Sequence, residues 1–223
     1  MEKPSPSKAA EIVAEHAQPK TVQHHCQVTL SGNLVAKPEI RYRTNPVTAV
    51  AELVIATHNR WFDKKTQSYK DWTTFHKAYV EGDSVEEELR FCDKGQLIYL
   101  NGSLDTGKEG KQDFVRANYF HILGKGGQLS LNQITATAEL AETPRLMTSE
   151  SGSHFCHLNL QLNIGGKTLF RPLNIWGKQA QYLAQYGQQG QQVIIEGCLN
   201  YQKDRKQLQL IDGKQVILAM PEQ

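Results

Sequence analysis

The sequence predicts an all-β chain of two tandem five-stranded barrels, each with one helix between its third and fourth strands. Three observations predict this. From about Gln23 onward, short segments of alternating apolar and polar residues are separated by Gly, Pro and Asn turns, the pattern of barrels and sandwiches. The chain also matches itself. Val28, Leu30, Gly32, Leu34, Pro38 and Ile40 correspond to Ile134, Ala136, Ala138, Leu140, Pro144 and Leu146 at a constant offset of 106. Gly82, Gly95, Gly102 and Leu104 correspond to Gly177, Gly190, Gly197 and Leu199 at an offset of 95. Finally, 223 residues are enough for two small domains that each bury a core.

In the first copy, strands are expected near residues 27–35, 47–58, 72–80, 96–104 and 114–123. The helix starts at Ser84, where Ser84 and Glu87 have the spacing of a capping box, and Gly95 stops it. Val85, Leu89 and either Phe91 or Cys92 give it an apolar stripe. The second copy repeats the order with strands near 132–140, 154–164, 168–176, 191–199 and 208–218 and a helix near 178–186. Three strands, a helix and two strands is the order of the oligonucleotide-binding (OB) barrel. The difference between the two offsets is a shortening between strands two and three: the second copy connects them through Asn163-Ile164-Gly165-Gly166-Lys167, whose Gly-Gly suits a tight hairpin turn.

The expected organisation is therefore an N-terminal arm over 1–22, a first domain over 23–123, a linker over 124–131 and a second domain over 132–223. The arm, rich in Pro, Ser, Lys and Ala, holds at most a short helix around 9–17 and reads as mobile. Gly124-Lys125-Gly126-Gly127 makes the linker short and flexible.

Chemistry concentrates between strands two and three of the first copy. Residues 50–75 form a strand, a polar turn region and a second strand, with aromatic and cationic side chains interleaved around the connection. Between Arg41 and Lys70 there are six cations (Arg41, Arg43, Arg60, Lys64, Lys65 and Lys70) against two acids, while the whole chain is only +2. Unpaired nucleic acid offers flat bases that stack on aromatic rings and phosphates that attract Lys and Arg. Trp61, flanked by Arg60, Asp63, Lys64 and Lys65, has little core to enter and is the foremost stacking candidate. Tyr69, Trp72 and, in the second copy, Trp176 are further candidates, each also readable as core. Phe75 lies on an alternating strand and belongs either to the barrel core or to its binding face.

Other chemistries find no support in the sequence. Cys26, Cys92, Cys156 and Cys198 are widely spaced in apolar segments, without any C-x-x-C pair, and read as reduced buried thiols. His24, His25 and Cys26, like His154, Cys156 and His157, lack zinc-ligand spacing, and adjacent strand residues face opposite ways, so no metal or cofactor is expected. Neither a G-x-x-x-x-G-K-[ST] phosphate loop nor a G-x-S-x-G elbow occurs, and no catalytic residue is assigned. No apolar run reaches the length of a membrane span, and the N-terminus lacks the apolar core of a secretion signal. A soluble, cytoplasmic protein is expected.

The chain resembles the bacterial single-stranded DNA-binding protein family. The matching residues are Val28-x-Leu30-x-Gly32-Asn33-Leu34 with Pro38-Glu39-Ile40-Arg41-Tyr42, Val50-Ala51, Thr73-x-Phe75-His76, and Gly95-x-x-Ile98-x-x-x-Gly102-x-Leu104. The second copy is similar at Ile175-Trp176-Gly177-Lys178 and at Gly190-x-x-Val193-x-Ile195-Glu196-Gly197-x-Leu199. The resemblance implies base stacking on Trp61 and Phe75, phosphate contacts from Arg41, Arg60, Lys64, Lys65 and Lys70, and a place for His76 near an oligomer interface. With two barrels per chain it implies a homodimer. Three features depart from the family: Glu81 stands where an aromatic is common, no Trp follows the fourth strand of the first copy, and the sequence ends in Met220-Pro221-Glu222-Gln223 without an acidic tip. Sequence-tolerant binding of single-stranded DNA in replication, recombination or repair is the main reading. Two others stay open, a protein-interaction module of a replication or primosome assembly, and RNA binding by the same stacking physics.

Overall fold

A computed structural model describes residues 22–63, 66–107, 110, 112–126, 129–202 and 208–220. The expected arm, apart from Val22, lies outside the described residues, as do Lys64, Lys65 and Gly127.

The first repeat consists of β1 (Cys26–Leu34), β2 (Ile40–Arg43), β3 (Thr48–Asp63), β4 (Ser68–Glu81), α1 (Ser84–Leu89), β5 (Gln96–Thr106) and β6 (Asp113–Lys125). The second consists of β7 (Leu131–Leu140), β8 (Met147–Thr148), β9 (His154–Ile164), β10 (Lys167–Trp176), α2 (Gly177–Tyr186), β11 (Gln192–Tyr201) and β12 (Gln209–Leu218). Each repeat closes on itself. In the first, β1 pairs with both β3 and β5, and β4 meets β6 in parallel at Ala78 and Val115. In the second, β7 pairs with β9 and β11, and β10 meets β12 in parallel. Both are five-stranded OB barrels with the helix after the third long strand. The short strands β2 and β8, which the sequence reading lacked, extend the outer edge of each barrel.

The two barrels share one sheet because β1 and β7 pair antiparallel, from Cys26 opposite Ala136 to Ser31 opposite Leu131. Val28 faces Ile134, its own counterpart at the offset of 106. A position that meets its equivalent marks a pseudo-twofold axis, so the repeats join as two copies of a symmetric dimer would. Val28, Leu30, Ile55, Leu100 and Leu104 form the centre of the first core, and Ile134, Leu140, Leu158, Leu160 and Ile195 that of the second.

The repeat is visible in its glycines. A Cβ on Gly102 would stand 2.2 Å from the Arg116 carbonyl oxygen, and one on Gly197 would stand 2.2 Å from that of Asp212. Both sit at bulges, where the ladder shifts register and strands cross closely. The Gly95 N–H donates to the Leu34 carbonyl and the Gly190 N–H to the Leu140 carbonyl, each at 2.8 Å. Gly165 and Gly166 both have positive φ, as a two-residue turn requires, and close the β9–β10 hairpin between Ile164 and Lys167.

Two sequence expectations are corrected, and one open alternative is decided. Asp83, not Ser84, precedes the first helical residue, and no side chain caps α1. The carbonyls of Gly82 and Asp83 already accept from Val85 and Glu86, so the hydroxyl is not needed. Of the two alternatives for the stripe, Cys92 is buried and Phe91 is 83% exposed. The polar turn region after residue 58 is paired strand: β3 and β4 stay in register from Val50 opposite Glu81 out to Asp63 opposite Ser68.

Beyond its glycines, the junction segment is tied down: the Leu129 carbonyl accepts from the Ser31 hydroxyl, and the Ser130 hydroxyl from the His58 N–H. All four cysteines are free, with Cys92 and Cys156 buried. Among the described residues no helix is long and apolar enough to cross a membrane.

Candidate nucleic-acid interface

The β3–β4 hairpin projects beyond the barrel because its outer half has polar or aromatic residues where the inner half has Leu53, Ile55 and Ala78. Trp61, Trp72, Tyr69, Phe62 and Phe75 are all roughly half exposed. Exposed large aromatics in this number are unusual for a surface that only meets water.

Side-chain alternation sorts them onto two faces. Trp61, opposite Lys70, shares one face with Trp72. The Lys70 ammonium lies 5.7 Å from the Trp61 ring centre and 2.6 Å from an Asp63 carboxylate oxygen. Arg60, Phe62, Tyr69 and Asp71 share the other face: the Arg60 guanidinium sits 4.4 Å over the Tyr69 ring, and Phe62 meets Tyr69 edge-on at 5.2 Å. Phe75 lies on this second face, nearer the barrel. Trp61 and Phe75, the two plates implied by the family resemblance, are therefore on opposite faces of the hairpin.

The described cations do not stand alone. Arg41 pairs with Glu39 at 3.2 Å, Arg43 with Glu81 at 3.0 Å, Arg60 with Asp71 at 3.5 Å, and Lys70 with Asp63. Folding thus brings in carboxylates that a window of the sequence from 41 to 70 omits. Lys64 and Lys65 at the tip lie outside the described residues. Glu81, the departure from the family pattern, forms ion pairs with both Arg43 and Arg116.

His76 is not on a surface that another chain can reach. It is fully buried, its Nε2 lies 2.9 Å from the Thr57 hydroxyl, and its ring is 5.8 Å from that of Tyr201 in the second repeat. The residue expected near an oligomer interface is instead buried against the second repeat of its own chain. Burial holds the His76 imidazole down at about 4 and pushes the Tyr201 phenol up to about 12.

The counterpart of His76 at the offset of 95 is Arg171, which is also buried at the junction. Its guanidinium reaches Asp113 at 2.8 Å and the Asp105 carbonyl at 3.0 Å, both in the first repeat. Lys167 and Arg116 hold the Asp105 carboxylate at 2.8 and 2.7 Å. Burial alone would raise the Asp105 carboxyl, but the hydrogen bonds from Lys167 and Arg116 outweigh it and set it below the usual range. For Asp113 burial wins over Arg171 and the carboxyl is raised.

In the second repeat, Trp176 is half exposed and stacks on Phe155 at 4.8 Å. Phe170, at 55% exposure, was not singled out from the sequence. The signal was present: Phe170 lies 95 residues after Phe75, the same offset that relates the glycines.

The model of the single-strand binding protein family matches residues 26–123 and, a second time, residues 131–215. The chain belongs to the single-strand binding protein family. It carries two of the family's domains in tandem, and the family is a non-enzymatic, DNA-binding one. Among solved structures, it is similar to the wild-type single-stranded DNA binding protein from Thermus aquaticus, with a TM-score of 0.76 and 22% identity over 91% of this chain and 96% of that one. A deletion mutant of the same Thermus aquaticus protein gives a TM-score of 0.78 and 22% identity, covering 91% of this chain and 98% of the mutant. At this identity the likeness establishes the tandem OB fold of this family member.

Proposed function

We propose that the chain binds single-stranded DNA with little sequence preference and covers it during replication, recombination or repair, through bases stacked on aromatic side chains and phosphates held by Lys and Arg. The observation that carries this reading is the long β3–β4 hairpin, whose exposed Trp61, Tyr69, Trp72 and, nearer the barrel, Phe75 alternate with Arg60 and Lys70. Arg41, Arg43, Lys64 and Lys65 add to the phosphate track. A strand that touches both Trp61 and Phe75 passes around the hairpin edge, since the two rings are on opposite faces. Phe170 and Trp176 extend the track over the second repeat.

Labelled oligo(dT) titrated at two salt concentrations, with duplex DNA and matched RNA as competitors, tests the proposal. Tight binding to oligo(dT), with log affinity falling by about 0.7 per phosphate contact for each decade of salt and weak competition by duplex, is expected. Equal competition by RNA would widen the substrate to both polymers, and no binding would favour a protein-interaction module.

The same reading includes a homodimer. The outer face of the shared sheet exposes Tyr119, Leu123 and the cross-strand pair Ile194 and Ile217, an apolar surface for a second copy. A solution mass near twice the 25.1 kDa of one chain is expected, and a monomer would remove the dimer.

A further inference from the structure

Among the described residues, β4 pairs only with β3 between Trp72 and Phe75, because its contact with β6 begins at Ala78. The open edge faces the end of β11 in the second repeat. A cleft of about 480 Å³ lies between them, with Trp72, Thr74 and Phe75 on one wall and Asn200, Tyr201 and Gln202 on the other. This volume falls in the range of sites that enclose small ligands, roughly 300 to 1,000 Å³.

Among the described residues, none that lines the cleft is charged. A phosphate pressed against these described walls would lose water without gaining a cation from them, a costly exchange. A nucleobase fits the lining on both counts: its faces stack on aromatic rings, and its edge offers donors and acceptors to carboxamides. The far wall is held in place beforehand. The Asn200 carboxamide donates to the Asp212 carboxylate at 2.8 Å and accepts from the Tyr201 N–H at 2.9 Å, which leaves one N–H and one lone pair by valence. His76 packs against the Tyr201 ring from the first repeat.

The pseudo-twofold axis provides a comparison within the molecule. The equivalent cleft, beside Phe170, is smaller at about 260 Å³ and is lined by Arg171 and Asp113. It occupies the same place in the fold, with an ion pair where the first cleft has neutral groups.

We propose that the cleft between Trp72–Phe75 and Asn200–Gln202 is a base-binding subsite, taking one unstacked nucleobase where the strand turns around the β4 edge from the first repeat to the second. The inference rests on the single-stranded DNA reading above. It adds a place where one nucleotide contacts both repeats, and it makes the two symmetry-related clefts unequal.

Photo-crosslinking of the parent protein to oligo(dT) carrying single 5-iodouracil substitutions, followed by peptide mapping, tests it directly. Adducts on Trp72 or Phe75 together with adducts on Tyr201 are expected. Gln202→Ala, and separately Asn200→Ala with Gln202→Ala, should weaken oligo(dT) binding about ten-fold, and Gln202→Ala should do so without shifting the thermal unfolding midpoint. If the parent binds, Trp61→Ala weakens it, and yet no adduct maps to Asn200–Gln202 and Gln202→Ala binds like the parent, the subsite is wrong while the hairpin reading stands. If the parent binds no single strand at all, both fall together.

Discussion

Arg171 holds Asp113 at 2.8 Å across the junction of the two repeats, with both side chains only 5% exposed. The partners of this pair under the internal symmetry are His76 and Gln209. The Gln209 N–H donates to the other Asp113 carboxylate oxygen at 2.8 Å, so the two equivalent positions touch at the axis. One half of the seam is ionic and the other neutral. Desolvation costs of a buried pair offset much of its attraction, but removing one member leaves the other charge buried alone. Asp113→Ala is therefore expected to lose about 3–5 kcal/mol in urea unfolding, whereas Asp113→Leu combined with Arg171→Met loses much less. A single variant within about 1 kcal/mol of the parent would show that the pair does not join the repeats.

The neutral half predicts a pH response. The His76 imidazole is lowered from 6.5 to about 4 in the folded state by burial. A base depressed on folding binds its proton first in the unfolded chain, so its contribution is complete above pH 6.5 and is lost as pH falls toward 4. The loss at pH 4 is about 3 kcal/mol at 1.36 kcal/mol per pH unit. His76→Gln should flatten the stability profile between these values, read by thermal unfolding across pH. A profile unchanged by the substitution would mean that the ring is hydrated.

Asp71 predicts a gain. Its carboxylate pairs with Arg60 at 3.5 Å on an exposed face, and under the proposed function it competes with phosphate for that guanidinium. Exposed pairs contribute roughly 0.2 to 1 kcal/mol, so Asp71→Asn should tighten oligo(dT) binding by at most about five-fold at low salt. Fluorescence anisotropy with a labelled strand measures this, and weaker binding would mean that Asp71 positions Arg60 productively.

Much of this structure is legible in the sequence, for reasons local to particular residues. Gly102 and Gly197 show the repeat because strand crossing leaves no room for a Cβ, and Gly165-Gly166 shows the short hairpin because its turn needs positive φ. The barrels follow from strand spacing alone. What the sequence does not show is pairing at a distance. Arg171 and Asp113 meet only after β1 and β7 have joined the barrels, and nothing near either residue announces the other. His76 is implied as an oligomer contact by the resemblance, and only the fold shows it buried against Tyr201 of the same chain. The two faces of the hairpin are hidden for a different reason: residues 59 to 63 look like a turn by polarity, and only the ladder from Asn59 to Asp63 fixes which rings share a side. Phe170 was within reach of the offset of 95, but it sits beside Arg171 in a segment without a cationic hairpin.

The central claim is that the first repeat grips an unpaired strand with its hairpin. Anisotropy of labelled oligo(dT) with Trp61→Ala, Lys64→Ala and Lys65→Ala combined in one chain tests it most directly. A loss of about 100-fold is expected, together with a salt slope shallower by about 1.4 for two lost phosphate contacts. A triple variant that binds oligo(dT) with the parent's affinity and salt slope would contradict it.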